Sequence, residues 1–222
     1  MQVLDENQVS QFLIAARQSQ YYCLYHLAIT TGMRLGELFG LKWDDLQWNR
    51  GVLHLQRQVQ KVPGQGWSFV EPKTASGRRT IKLGEGTLQA LREHKAHQDL
   101  IMQNAGPLWQ EFGLVFTSSR GTPLDPSNLR IDFNRILKMA GLPKIRIHDL
   151  RHTAASLLLN HNVSVIVVSR MLGHSKPSTT LDIYGHLLSE MQWEAAETMD
   201  KIVTPIPVQI PKKSEKSPGN ES

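Results

Sequence analysis

His148 and Arg151 stand three residues apart, a spacing that puts both side chains on one face of a helix. His174 follows Gly173 in a Leu-Gly-His-Ser turn, and Tyr184 comes ten residues later, after a Pro-Ser-Thr-Thr helix start. Imidazole, guanidinium and phenol within reach of one another make an unusual inventory. A phenol has a pKa of roughly 10. It attacks only if its proton is removed and the charge that develops is neutralised. Guanidinium forks match phosphate oxygens two at a time. This chemistry points to nucleophilic attack on a phosphodiester.

A second cation comes from Thr31-Gly32-Met33-Arg34-Leu35-Gly36-Glu37-Leu38. Gly32 permits a turn, and the residues after it read as a new helix with Arg34 near its N-terminus. The helix dipole disfavours an arginine there unless an anion meets it. Glu37, three residues on, can brace the guanidinium; the plainer reading is a surface Arg34–Glu37 pair. Lys73 sits in a Gly/Ser-bearing turn and matters only if that turn leans over the site.

The elements that must position these residues follow from periodicity. Asp5 to Gln8 offer a capping-box start for a helix carrying Val9, Phe12, Leu13 and Ala16. A second helix is predicted over 20–31, stopped by Gly32. Tyr21, Tyr22 and Tyr25 on it read as packing residues. The segment 41–46 closes the helical region. Strand-like alternation over 52–59, 67–70 and 79–83 predicts a three-stranded antiparallel sheet. Further helices are predicted over 87–103, from Asp125-Pro126-Ser127 to Gly141, and over 188–202. The fold class is α+β, mainly α-helical with a small three-stranded antiparallel sheet: one domain over 1–202, then a Pro/Lys/Ser-rich tail over 203–222 expected to be disordered.

The 222 residues are 40% hydrophobic, enough for a core, and carry a net charge of +5, which mildly favours a polyanionic partner. A single cysteine, Cys23, lies in an apolar run and excludes a disulfide framework. No apolar run is long enough to span a bilayer, and the N-terminus does not read as a signal peptide. These features predict a cytoplasmic protein.

Five segments now come together: TGMRLGEL at 31–38, KTASGRRTI at 73–81, HDLRHT at 148–153, LGHS at 172–175 and TTLDIYGH at 179–186. In this order the chain resembles the catalytic domain of the tyrosine recombinases, the phage-integrase family. The resemblance implies that Arg34 and Arg151 hold the non-bridging oxygens of a scissile phosphate. It implies Lys73 as general acid toward the leaving 5′ oxygen, His148 assisting proton transfer at the nucleophile, and His174 binding the phosphate. Tyr184 would attack, leaving a 3′-phosphotyrosyl link and a free 5′ hydroxyl, and a 5′ hydroxyl from another strand would reverse the step. Glu37 and His152 take supporting places. The implied partners are double-stranded DNA and other protomers in a synaptic tetramer, with no membrane, at the nucleoid. Full-length members usually carry an N-terminal DNA-binding domain, and none is expected before Leu4. Whether Tyr184 acts in cis or in trans stays open.

One phosphodiester is exchanged for another, so no cofactor is needed to supply energy. Two guanidinia, an imidazole and an ammonium can neutralise the transition state, so no metal is required. Three rival readings share some of these residues. His148 and His152 stand at a zinc-ligand spacing, but Asp149 occupies the place of the usual glutamate base and Arg151 would crowd a cation. A type IB topoisomerase would use the same chemistry without strand exchange. A non-catalytic DNA-binding module would have no use for the complete set of site residues.

Overall fold

The structure, a computed structural model, describes residues 2–62, 64, 66–72, 77–185 and 191–203. The chain divides into two units, Met1–Leu187 and Leu188–Ser222. Among described residues, the first unit holds eight α-helices and five strands around one apolar core; the second holds a single helix.

Helix α1 (Glu6–Ala16) starts as the sequence predicts. Asp5 Oδ1 accepts the Gln8 N–H at 2.8 Å and Gln8 Oε1 accepts the Asp5 N–H at 3.0 Å, so two otherwise orphaned donors are satisfied reciprocally. The α1 side chain Phe12 packs between Tyr25 of α2 (Tyr22–Thr31) and Phe133 of α5 (Pro126–Met139), at ring separations of 5.4 and 5.3 Å. Tyr25 is fully buried and donates its hydroxyl to Leu129 O and Asp132 Oδ2, which makes it a core residue, as read from the sequence. Cys23 is buried in the same core, which raises its thiol pKa.

Helix α2 ends at Gly32, whose φ of 62° lies in the left-handed region. The short α3 (Leu35–Phe39) follows. The segment 41–46, read as closing the helical region, is a 3₁₀ turn over Trp43–Asp45 that leads into the first strand at Leu46.

The three-stranded antiparallel sheet is present, but its members differ from the predicted ones. Its order is β1 (Leu46–Gln47), β2 (Val52–Leu55), β5 (Arg79–Lys82), with Leu53 opposite Ile81 and Leu46. The predicted strand 52–59 breaks at Gln56 and Arg57. Arg57 turns to meet the buried carboxylate of Asp45 at 2.5 Å, a pairing that a buried charge requires. Beyond the break, β3 (Gln58–Val62) and β4 (Gly66–Val70) form a separate hairpin, with Val59 opposite Phe69. The hairpin packs on α3, where a Cβ at Gly40 would lie 3.0 Å from the backbone of Gln58.

Helix α4 (Glu85–Ala105) runs slightly past its predicted ends. Helix α5 is capped by Asp125, which accepts the Ser127 N–H, with Pro126 at the first helical position. Helix α6 (Asp149–Asn160) packs on α2, and α7 (Val165–Leu172) packs on α6, on β5 and on α8 (Pro177–Tyr184). The second unit contains α9 (Met191–Val203). The predicted start of that helix at residue 188 and the predicted disorder over 204–222 lie outside the described residues.

Candidate active site

Arg34 caps α3 and is held by Glu37. The Arg34 N–H donates to Glu37 Oε2 at 2.9 Å and its Nη1 donates to Glu37 Oε1 at 3.0 Å. This is not the surface pair of the plainer reading, because the Glu37 side chain is only 5% exposed. Its second partner is Arg79 of β5, which donates Nη1 to Oε1 and Nη2 to Oε2, each at 2.9 Å. Burial alone would raise the Glu37 pKa. Hydrogen bonds and charge from Arg79, then from Arg34, outweigh it and hold the carboxyl below its ordinary value. Arg79 Nε also donates to Met171 O at 2.6 Å, near the end of α7. One buried carboxylate and one buried guanidinium thus join α3, β5 and the turn that carries His174.

Arg151 projects from the first turn of α6 and is buried. Its Nη1 donates to Gly32 O at 2.6 Å. Its Nη2 is buried without a hydrogen-bond partner among the described residues. Burial, then the charge of Arg34, draws the guanidinium pKa down to about 10, with Glu37 and Tyr184 acting the other way, so the group stays charged at neutral pH. A charged, buried donor with an open valence calls for an anion.

Gly173 ends α7 at a φ of 71° and turns the chain so that His174 faces the cluster. His174 Nδ1 meets Thr180 Oγ1 at 2.8 Å. Burial, then Arg151, Arg34 and Arg79, lowers the His174 pKa to about 4, so the ring is neutral at pH 7. In the tautomer in which Nδ1 accepts from the threonine hydroxyl, Nε2 carries the proton and can donate to an oxyanion.

Tyr184 ends α8 and is 1% exposed. Its hydroxyl lies 2.7 Å from His152 Nδ1. Burial pushes the phenol up to about 12, partly offset by the charge of Arg151. His148 caps α6 and meets the His152 ring edge to face, with centroids 5.2 Å apart. Burial first, then neighbouring charge (Arg151 beside His148, His148 beside His152), lowers both imidazole pKa values.

The structure therefore brings together Arg34, Glu37, His148, Arg151, His152, His174 and Tyr184. Lys73 belongs to residues 73–76, outside the described residues. Two residues were not singled out from the sequence, Arg79 and Thr180. Thr180 is fully buried one helical turn before Tyr184, so its place was readable from the i, i+4 spacing. Asp149, the carboxylate that a zinc hydrolase would need as base, is instead bound by Arg146, whose Nη2 donates to Oδ1 at 2.8 Å. A groove of about 870 Å³ opens between β5 and α7 beside His174, lined by Ile81, Val167 and Met171 together with Arg78, Lys82 and Arg170.

Comparison with known proteins gives a consistent result. The family described as "Phage integrase family" matches residues 2–191. A tyrosine recombinase XerC-like protein of Caldanaerobacter subterraneus subsp. tengcongensis is 32% identical over 91% of this chain and 54% of its own length. The ICEBs1 integrase of Bacillus subtilis is 27% identical over 86% of this chain and 51% of its own. The chain thus spans about half the length of these curated relatives. Among solved structures, the Tn1549 transposon integrase in complex with transposon right end DNA superposes with a TM-score of 0.75 at 24% identity, covering 91% of this chain and 66% of that one. XerA recombinase superposes with a TM-score of 0.65 at 24% identity, covering 93% of this chain and 66% of that one. On the match across most of its length and on the shared fold, the chain belongs to the phage integrase family of tyrosine recombinases.

Proposed function

We propose that this chain carries the catalytic site of a site-specific DNA recombinase, which breaks and rejoins strands through a phosphotyrosyl link. The observation that supports the reading is the buried, charged Arg151, with a donor left open, in the same cluster as Arg34, His174 and Tyr184. Arg151 Nη2 is buried without a hydrogen-bond partner among the described residues, and the charge of Arg34 acts on it. In the related Tn1549 integrase the bound molecule is DNA.

A scissile phosphate seated at Arg151 Nη2 would have its non-bridging oxygens shared between Arg151 and Arg34. His174 would donate Nε2–H to the same group. The Tyr184 oxygen would attack phosphorus in line with the leaving 5′ oxygen. The phenol proton passes to the His148/His152 pair, and Lys73 protonates the departing alkoxide. Each preorganised donor of this kind is worth roughly 10²–10³ in rate. A 5′ hydroxyl from another strand then attacks the phosphotyrosine and restores both the diester and the phenol, so the exchange proceeds without a cofactor.

The groove beside His174, where Arg78, Lys82 and Arg170 stand among apolar side chains, offers a path for the DNA backbone, and Lys and Arg contacts there would give salt-dependent affinity. Exchange between two duplexes breaks every strand once, which calls for one nucleophile per strand and hence a tetramer on paired sites. Action on DNA would keep the protein in the cytoplasm with the nucleoid.

The test is a covalent adduct. Nicked duplexes with a randomised core are incubated with the full chain, and adducts are resolved on a denaturing gel and mapped by mass spectrometry. The expected link is at Tyr184, and Tyr184→Phe should bind DNA without forming it. An undiminished adduct in that variant would move the nucleophile elsewhere.

A further inference from the structure

We propose that His152 is the residue that takes the proton from Tyr184 as the phenol attacks. This inference rests on the strand cleavage proposed above and names the acceptor that the cleavage requires.

Three observations carry it. The hydroxyl of Tyr184 lies 2.7 Å from His152 Nδ1, within the range of a direct O–H···N hydrogen bond. Tyr184 is 1% exposed, so the side chain already hydrogen-bonded to the phenol is better placed than bulk water to take its proton near neutral pH. His148, the residue given proton transfer by family resemblance, lies against His152, with ring centroids 5.2 Å apart and planes at 89°. The phenol's hydrogen bond goes to the other member of that pair.

The electrostatics agree with the geometry. The groups that face the His152 ring are His148, Asp149 and Arg151 on its own helix, Arg146 before that helix, His174, and Tyr184 from α8. Burial and the cations among them keep the imidazole neutral, the form in which Nδ1 can accept a proton. A neutral ring that accepts at Nδ1 carries its own hydrogen at Nε2. In the step, the Tyr184 O–H bond breaks and its proton goes to Nδ1. The oxygen's electron pair forms the O–P bond, the bond from phosphorus to the 5′ oxygen breaks, and that oxygen is protonated by Lys73. In the second half of the cycle the attacking 5′ hydroxyl gives its proton to the now neutral Lys73 amine, its oxygen forms the new O–P bond, the bond from phosphorus to Tyr184 breaks, and the imidazolium returns its proton to the phenol. Asp149, held by Arg146 beside the ring, offsets part of the charge His152 acquires.

The decisive variant is His152→Asn, whose Oδ1 can occupy the position of Nδ1 and accept the phenol's hydrogen bond but cannot take up the proton near neutral pH. Adduct formation on the nicked, randomised duplexes should fall about 10²–10⁴-fold at pH 7. The residual rate should then climb about tenfold per pH unit toward the ionisation of the phenol, whereas the wild-type rate levels off above the ionisation of the imidazole. Site-specific replacement of Tyr184 by a fluorinated tyrosine of lower pKa should restore much of the loss in His152→Asn. A merely structural role for His152 would lower the rate without changing its pH slope or responding to fluorination. In the free protein, nitrogen NMR of His152 should show the Nε2–H tautomer. A wild-type rate and pH profile in His152→Asn, or an Nδ1–H tautomer, would overturn the inference while leaving the adduct at Tyr184 intact. A wild-type chain that forms no adduct on any duplex removes the proposed function, and this inference with it.

Discussion

Gly32 presents its carbonyl to Arg151 Nη1 at 2.6 Å, and this contact fixes the guanidinium while Nη2 stays buried without a hydrogen-bond partner among the described residues. The contact depends on Gly32 having no side chain. Its backbone has a φ of 62°, and a Cβ there would lie 2.5 Å from Leu172 Cδ2. The turn that ends α2 thus puts the Gly32 carbonyl where an arginine from α6 can bind it.

That geometry predicts the outcome of Arg151→Lys. Charge is retained, but an ammonium cannot bind Gly32 O and an anion with two nitrogens held in one plane. Adduct formation should fall by about 10²–10³-fold, with little change in DNA affinity at moderate salt. Single-turnover cleavage beside a binding isotherm measures both; a cleavage rate near that of the wild type would show that charge alone suffices.

Glu37 gives the second prediction. It accepts hydrogen bonds from both Arg34 and Arg79, and the Arg79 side chain is 7% exposed. Glu37→Gln removes the compensating charge and leaves a buried guanidinium without its ion-pair partner, at a cost of about 3–5 kcal/mol. Urea denaturation at pH 7 should show this as a lower midpoint with an unchanged slope. Adduct formation should also fall, since Arg34 loses its brace.

A third prediction concerns mild acid. The unfolded His174 side chain takes up a proton near its ordinary pKa of about 6.5. In the folded protein, burial, then Arg151, Arg34 and Arg79, lowers that value to about 4. Between these two values the unfolded state binds more protons, so the His174 contribution to stability is complete above the upper value and is lost as pH falls toward the lower. Urea midpoints at pH 7 and pH 5 should therefore separate more in the wild type than in His174→Asn. Equal pH sensitivity in the two proteins would show that His174 is not held neutral by the fold.

Much of this site was legible in the sequence because its residues are local. The i, i+3 spacing of His148 and Arg151, the turn at Gly173 and the Pro177 helix start follow from short-range backbone rules, and the chain folds as those rules say. Glu37 was readable as the brace of Arg34 for the same reason. The sheet shows where such reasoning stops. Alternation marked residues 52–59 as one strand, but whether that run continues or bends depends on a buried aspartate, Asp45, that needs Arg57 as its partner. Pairing along a chain leaves no trace in a local period.

The amino-acid sequence by itself determined the candidate reacting groups, the order of the motifs and the ends of most helices, because these depend on residue type and on neighbours within a turn or two. Only the tertiary structure decided that Arg79 reaches Glu37, that Gly32 orients Arg151, and that the phenol of Tyr184 rests on His152. Those contacts join residues 42, 119 and 32 positions apart, and they are chosen by which buried charges and donors must find a partner when the core closes.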